Sequence, residues 1–207
     1  MKLKTELNKE ELAIFRKLNT PRKIQDFLEE LRINFDKGND TCMSPRRVLR
    51  ERKAHCVEGA MLAAAVLWFN GEKPLLLDLS AVDRDFDHVV TLFRRNGFWG
   101  AISKTNHAVL RYREPVYRTV RELALSYFHE YFDDVGRKNL REYSTPLDLR
   151  KFDVEWVVAE EDPWYIAEAL CDIPHKKIVD RKTIASFRRA DPVEIEAGKL
   201  VQYKNIS

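Results

Sequence analysis

A thiol nucleophile and its base require a cysteine placed to ionise and a histidine placed to take its proton. This chain carries both in structured surroundings: Cys56, in His55-Cys56-Val57-Glu58-Gly59-Ala60, and His88, in Asp87-His88-Val89-Val90. Thiolate is the species that attacks a carbonyl, and an adjacent imidazole takes the thiol proton and returns it to a leaving amine. A third polar group that holds the imidazole in one tautomer, and backbone N–H groups that receive a developing oxyanion, complete such chemistry. A cysteine in that position is equally at home as an inert core thiol, since free cysteine is among the most buried residue types.

The element that positions Cys56 is the run from Cys56 to Phe69, apolar nearly all round, which predicts a helix enclosed by other elements and ended at Asn70-Gly71. Cys56 then lies in its first turn, where N–H groups lack intrahelical acceptors and the dipole favours a thiolate. After Pro74, Leu75 to Leu79 reads as a buried strand. His88 to Phe93 and Phe98 to Ser103 flank Arg94-Arg95-Asn96-Gly97, and Asn-Gly between β-rich runs predicts a hairpin. Folded about Asn96, the hairpin gathers His88, Ser103 and Lys104 at one open end of a sheet, with Asn106 just beyond.

Upstream, Asn8 and Glu11 predict a capped helix with Leu12, Phe15 and Leu18 on one face. Thr20-Pro21 starts a second helix that carries Gln25. Asn34 to Thr41, with Gly38, reads as a loop, and Ser44-Pro45 starts a short basic helix through Arg52 whose cations form a solvated face. Asp83 to Asp87 reads as an acidic loop. Downstream, Val109 to Tyr112 is expected as a strand ended by Pro115, Val116 to Phe132 as a helix closed by Gly136, and Ser144-Thr145-Pro146 as a turn. Trp156 to Val158 is expected as a strand, Pro163 to Leu170 as a helix, and 193–203 as a terminal hairpin about Ala197-Gly198.

Lysine and arginine number 36 against 33 acidic residues, so charge offers no argument for nucleic acid. Three cysteines, Cys42, Cys56 and Cys171, without CxxC or CxxH spacing argue against a disulfide framework or a structural zinc and fit a reducing compartment. No stretch reaches the length needed to span a bilayer and the N-terminus lacks a signal-peptide core, so a cytoplasmic protein without membrane partners is expected. His107, His129 and His175 have no partners at ligand spacing. Tyr127, Phe128, Tyr131 and Phe132 read as core and core edge, and Trp99 as packed near the site.

The order of helix-start cysteine, apolar strand, histidine strand and tryptophan-bearing hairpin partner resembles the transglutaminase-like cysteine hydrolases, within the broader papain-like class. The matching stretches are Cys56-Val57-Glu58-Gly59-Ala60, Asn70-Gly71-Glu72-Lys73-Pro74-Leu75, Asp87-His88-Val89-Val90 and Gly97-Phe98-Trp99-Gly100-Ala101-Ile102-Ser103, and the likeness covers roughly Arg50 to Asn106. It implies Cys56 as nucleophile and His88 as base and acid. An aspartate usual in the family is replaced by Ser103, which accepts a hydrogen bond from imidazole without supplying charge. Asn106 is the alternative third member, as in Cys-His-Asn sites. Lys104 is a poor one, because its like charge opposes an imidazolium. Asp85 and Asp87 are near His88 in sequence without having to face it. Gln25 is either an exposed helical amide or an oxyanion donor, and His55 either a loop residue or a modulator of Cys56.

The expectation is therefore an α+β fold: a papain-like or transglutaminase-like core, its central buried helix packed on an antiparallel sheet with flanking helices. One domain over 1–207 would comprise N-terminal helices at 8–31, the core at about 44–112 and a C-terminal α/β extension at 113–207. The expected activity is amide hydrolysis or acyl transfer on a peptide, protein or small amide, with no cofactor and no metal; oligomeric state is open. Two rivals stand beside it: a binding module of the same fold that has lost the triad carboxylate, and metal binding by Cys56, His88 and His107 or His55.

Overall fold

The computed structural model describes residues 3–35, 40–82 and 85–204. Gly38 of the expected loop, Asp83 and Arg84 of the acidic loop, and Met1-Lys2 lie outside the described residues. In chain order the helices are α1 (Leu3–Glu6), α2 (Lys9–Lys17), α3 (Pro21–Glu30), α4 (Pro45–Glu51), α5 (Cys56–Phe69), α6 (Val120–Ser126), α7 (Glu155–Val158), α8 (Trp164–Asp172), α9 (Arg181–Ala185) and α10 (Pro192–Gly198). The strands are β1 (Arg32–Ile33), β2 (Lys53–Ala54), β3 (Leu75–Ser80), β4 (His88–Arg95), β5 (Phe98–Ser103), β6 (Arg113–Tyr117), β7 (Glu142–Ser144), β8 (Leu147–Asp148) and β9 (His175–Lys177).

The main sheet runs β6-β5-β4-β3-β7-β9, with β8 also on β3, and every pairing in it is antiparallel. A separate parallel pair joins β1 to β2 just before α5. Alternate residues of the central strands enter two different cores. Leu76, Val89, Phe93 and Ile102 pack with α5 and the N-terminal helices, whereas Leu77, Leu79, Val90, Leu92 and Ala101 pack with Leu123, Tyr127 and Tyr131. Both faces of β3 are thus covered, which explains an apolar run without polar alternation.

α5 begins and ends where its sequence predicts, and from Val57 to Leu67 every residue is buried. Its larger side chains, such as Leu62 and Leu67, each contribute about 1.5–3 kcal/mol on leaving water. The Asn96-Gly97 hairpin also forms: Arg95 pairs with Phe98, and φ values of 51° and 85° at the two turn residues are those of a tight primed turn. Caps at Asn8, Thr20 and Ser44 start α2, α3 and α4. The cations of α4 are ion-paired, Arg46 with Glu11, Arg47 with Asp162 and Arg50 with Glu160.

Several expected elements differ. The strand after β5 is Arg113–Tyr117, not Val109–Tyr112, and it contains Pro115; as β6 lies at the sheet edge, the missing proline N–H costs no ladder bond. The helix expected over Val116–Phe132 is shortened to α6 because Thr119 caps it, and Phe128–Glu130 is a 3-10 turn. Gly136 sits in a later turn. Ser144 closes β7 and Leu147 opens β8, so Thr145-Pro146 interrupts two segments on the same edge of β3. Trp156–Val158 is helical, with Trp156 fully buried and stacked on Trp68 at 6.2 Å. The expected terminal hairpin is α10, whose Asp191 and Glu194 form a reciprocal capping box with Pro192 in the first turn; those local bonds outweigh the β-propensity of Val193 and Ile195. Trp99 lies next to the hairpin turn, under Arg94, and not beside the site. Among the described residues, no helix is long and apolar enough to cross a membrane.

Candidate active site

Cys56 and His88 begin adjacent elements that are tied together: Thr91 Oγ1 of β4 donates to Ala60 O of α5 at 2.6 Å. Going back from that bond to the start of each element leads to the thiol and the imidazole. Cys56 is half-buried and lines the same cleft as His88 and His55. Burial alone would raise its pKa, but the hydrogen bonds and positive charge of the two imidazoles outweigh burial and bring it from 9.0 down to about 5. The dipole of α5 acts in the same direction. The other thiols are different: burial, then the charge of Glu58, pushes Cys42 up to about 12, and burial also raises exposed Cys171.

His88 is buried, and its Nε2 lies 2.8 Å from Ser103 Oγ. Ser103 gives its only hydroxyl proton to Leu110 O at 2.5 Å, so toward His88 it can only accept. The ring therefore presents Nε2–H to Ser103, which in the neutral tautomer leaves Nδ1 without a proton. In the β4–β5 register Ser103 faces Val90, one step diagonal from His88 on the same side of the sheet, within reach of a long side chain.

The other expected site residues have different roles. Gln25 is buried, not an exposed helical amide: Nε2 donates to Ser103 O (2.8 Å) and Glu29 Oε1 (2.7 Å), while Oε1 accepts from Ser103 N (2.9 Å). With both amide protons engaged it positions Ser103 and has none for an oxyanion. Asn106 is not behind His88; its side chain donates to Tyr203 O and accepts from Tyr203 N, both at 2.9 Å. Lys104 Nζ donates to Leu28 O and Leu31 O at the end of α3, and burial lowers its pKa to about 8. Asp87 Oδ1 accepts from Ala81 N, and Asp85 accepts from Phe86 N and Asn139. His107 is turned to Gly198 O, and among the described residues no group of three or more metal-ligating side chains is gathered.

His55 lies in the short connection between β2 and α5 as the N-cap of α5, and Glu58 is the missed partner of the site. Glu58 is fully buried and accepts from His55 N (2.9 Å), Met43 N (2.9 Å), Thr41 Oγ1 (2.7 Å) and Asn34 Nδ2 (3.2 Å). The His55 ring gives Nε2–H to Thr41 O at 2.7 Å and has Glu58 Oε1 3.4 Å away. Burial opposes its charge, but the bond to Cys56 and the negative charges of Glu58 and Cys56 raise its pKa to about 9. A glutamate three residues after a helix cap was the available signal. No local signal marks Gln25, whose partner is 78 residues away. His175 similarly meets Asp78, 97 residues away, at 3.0 Å.

His55, Cys56 and His88 line a cleft of about 480 Å³ whose other walls include Phe86, Leu110, Tyr131 and Ile195. The arrangement can ionise a thiol, move its proton to and from an imidazole, and admit a substrate. The chain matches no protein-family model and no curated protein.

Proposed function

We propose that the protein is a cysteine hydrolase or acyltransferase that acts on an amide bond, with a transglutaminase-like or papain-like core. The observation that carries this reading is that Cys56, at a helix start, and the buried His88, held at 2.8 Å by the Ser103 hydroxyl, line one cleft, where the two neighbouring imidazoles favour the thiolate. The thiol gives its proton to His88 Nδ1, and the thiolate attacks the carbonyl carbon while the C=O π pair moves to oxygen. First-turn N–H groups of α5 are suited to stabilise that oxyanion. Collapse breaks the C–N bond, its electron pair going to nitrogen, which takes the proton from His88. Water or an amine then attacks the thioester with His88 as base, and the sulfur leaves.

Ser103 stands where a carboxylate would hold an imidazolium, which favours a binding module as the second reading. Exposure to p-nitrophenyl acetate near neutral pH separates the two. An acetyl group located on Cys56 by peptide mass spectrometry, with little on Cys42 or Cys171 and about tenfold slower labelling in His88→Ala, is expected of the enzyme. Equal labelling of the three thiols, unaffected by His88→Ala, would leave the binding module.

A further inference from the structure

We propose that Glu130 is a positioning residue of this site: through the Leu110 backbone and the Ser103 hydroxyl it fixes His88 as the Nε2–H tautomer, doing by hydrogen-bond direction what a carboxylate against the imidazole would do by charge. The inference rests on the role assigned above to His88 as the base of Cys56. Serine by itself is an indifferent third member. Its hydroxyl rotates, and the single proton can go to Nε2, which would put the ring proton on Nδ1, the nitrogen that the reaction needs as a base. What stops that rotation is a fixed acceptor, Leu110 O, at 2.5 Å from Ser103 Oγ. A carbonyl has no proton to give, so the direction of the whole chain from His88 to Leu110 is set at its far end.

Leu110 reaches that position in an unfavourable backbone conformation. Its φ is 60°, in the left-handed region that a bulky side chain seldom occupies, and such a residue persists only where its surroundings over-determine it. Here they do. Leu110 N donates to Glu130 Oε2 at 2.8 Å, and the same oxygen takes Arg113 Nη2 at 2.7 Å. Arg113 is itself anchored, by Nε to Ser126 Oγ at 3.0 Å and by its guanidinium 4.1 Å over the Tyr127 ring, while Tyr127 OH donates to Arg111 O, the next carbonyl along, at 3.1 Å. On the other side, Gln25 holds both backbone groups of Ser103, so neither end of the Ser103–Leu110 bond can drift. Because Glu130 is ion-paired with Arg113, the cation offsets much of its field at the imidazole, and what reaches His88 is orientation.

The test is the tautomer of the His88 ring in the full chain, read by ring-nitrogen NMR at about pH 8.5, where an ordinary imidazole is neutral. The signals of the five histidines are told apart by comparison with His88→Ala. The Nε2–H form should predominate in the unmutated protein. Glu130→Ala should raise the share of Nδ1–H severalfold and slow acetylation of Cys56 by p-nitrophenyl acetate roughly threefold or more. Glu130→Ser, too short to reach Leu110 N, carries the same expectation should alanine impair folding, which circular dichroism checks for each variant. Glu130→Gln, whose amide oxygen still accepts from Leu110 N, should restore the Nε2–H form. In a Ser103→Ala background, where the connection is cut, Glu130→Ala should change the tautomer no further. An Nδ1–H ring in the unmutated protein, a readout that needs no variant, or a tautomer unmoved in folded Glu130→Ala, overturns the inference. Acetylation of Cys56 with a tautomer that ignores Glu130 would defeat this inference alone, whereas a Glu130-dependent tautomer without acetylation would defeat the enzymatic reading alone.

Discussion

Cys42 and Cys56 share a chain, a compartment and a side chain, and differ in what faces the sulfur. Cys42 Sγ has a carbonyl, Pro163 O, at 3.9 Å and an anion nearby, so only its neutral form is supported. Cys56 has two imidazoles, so its anion is supported. This difference has a consequence for stability. The folded-state pKa of Cys56 is depressed from 9.0, so its contribution is present above 9.0 and lost as pH falls through about 5. That of His55 is raised from 6.5, so its contribution is full below 6.5 and lost as pH rises through about 9. The charged forms of both groups are therefore favoured together between about 5 and about 9. The difference in melting temperature between the unmutated protein and Cys56→Ala should peak inside that window and decline toward both limits. A difference flat with pH would show that the pair is not ionised in the fold.

At the scale of elements, α5 has to lie close enough to the end of β5 to bring Cys56 to His88, and Gly59 permits the approach. A Cβ at Gly59 would lie 2.6 Å from Lys104 Cβ, and Lys104 is held by its two bonds to α3 carbonyls. Gly59→Ala should therefore destabilise the protein by roughly 1–3 kcal/mol in urea unfolding, although alanine is the better helix former. A neutral or stabilising result would mean that Lys104 moves aside freely. The same elements indicate which features the sequence exposes. α5 and the β4–β5 hairpin were legible because their signals are local: an apolar run ended by Asn70-Gly71, and Asn96-Gly97 between β-rich segments. α7 and α10 were not, because short runs such as Trp156-Val157-Val158 have no resolvable period, and burial of Trp156 against Trp68 decides the first while a capping box decides the second.

For the whole molecule, the cleft is assembled from segments far apart in the chain, and its C-terminal wall is held by Asn106. Val201 bridges His107, Gln202 N donates to Asn106 O, and the Asn106 side chain makes both bonds to the Tyr203 backbone. Asn106→Ala should loosen this attachment without touching the His88–Ser103 contact. Limited proteolysis in the 198–204 segment should accelerate severalfold, while the acid limb of Cys56 alkylation stays where it is. A shift of that limb would place Asn106 in the proton relay after all.

By itself the sequence determined the two candidate groups and the elements that carry them: a thiol at the first turn of an enclosed helix, an imidazole at the first residue of a strand, and through the Asn96-Gly97 register a serine within reach of that imidazole. These follow from hydrophobic periodicity, caps and turn chemistry, which act over a few residues. Only the tertiary structure decided what surrounds them. It turned Gln25 from the cleft to the Ser103 backbone, drew Asn106 to Tyr203, and closed Glu58 into a cage with Asn34, Thr41, Met43 and His55. Such contacts are selected by the burial of polar groups that must find partners wherever packing leaves them, and that condition has no period along the chain.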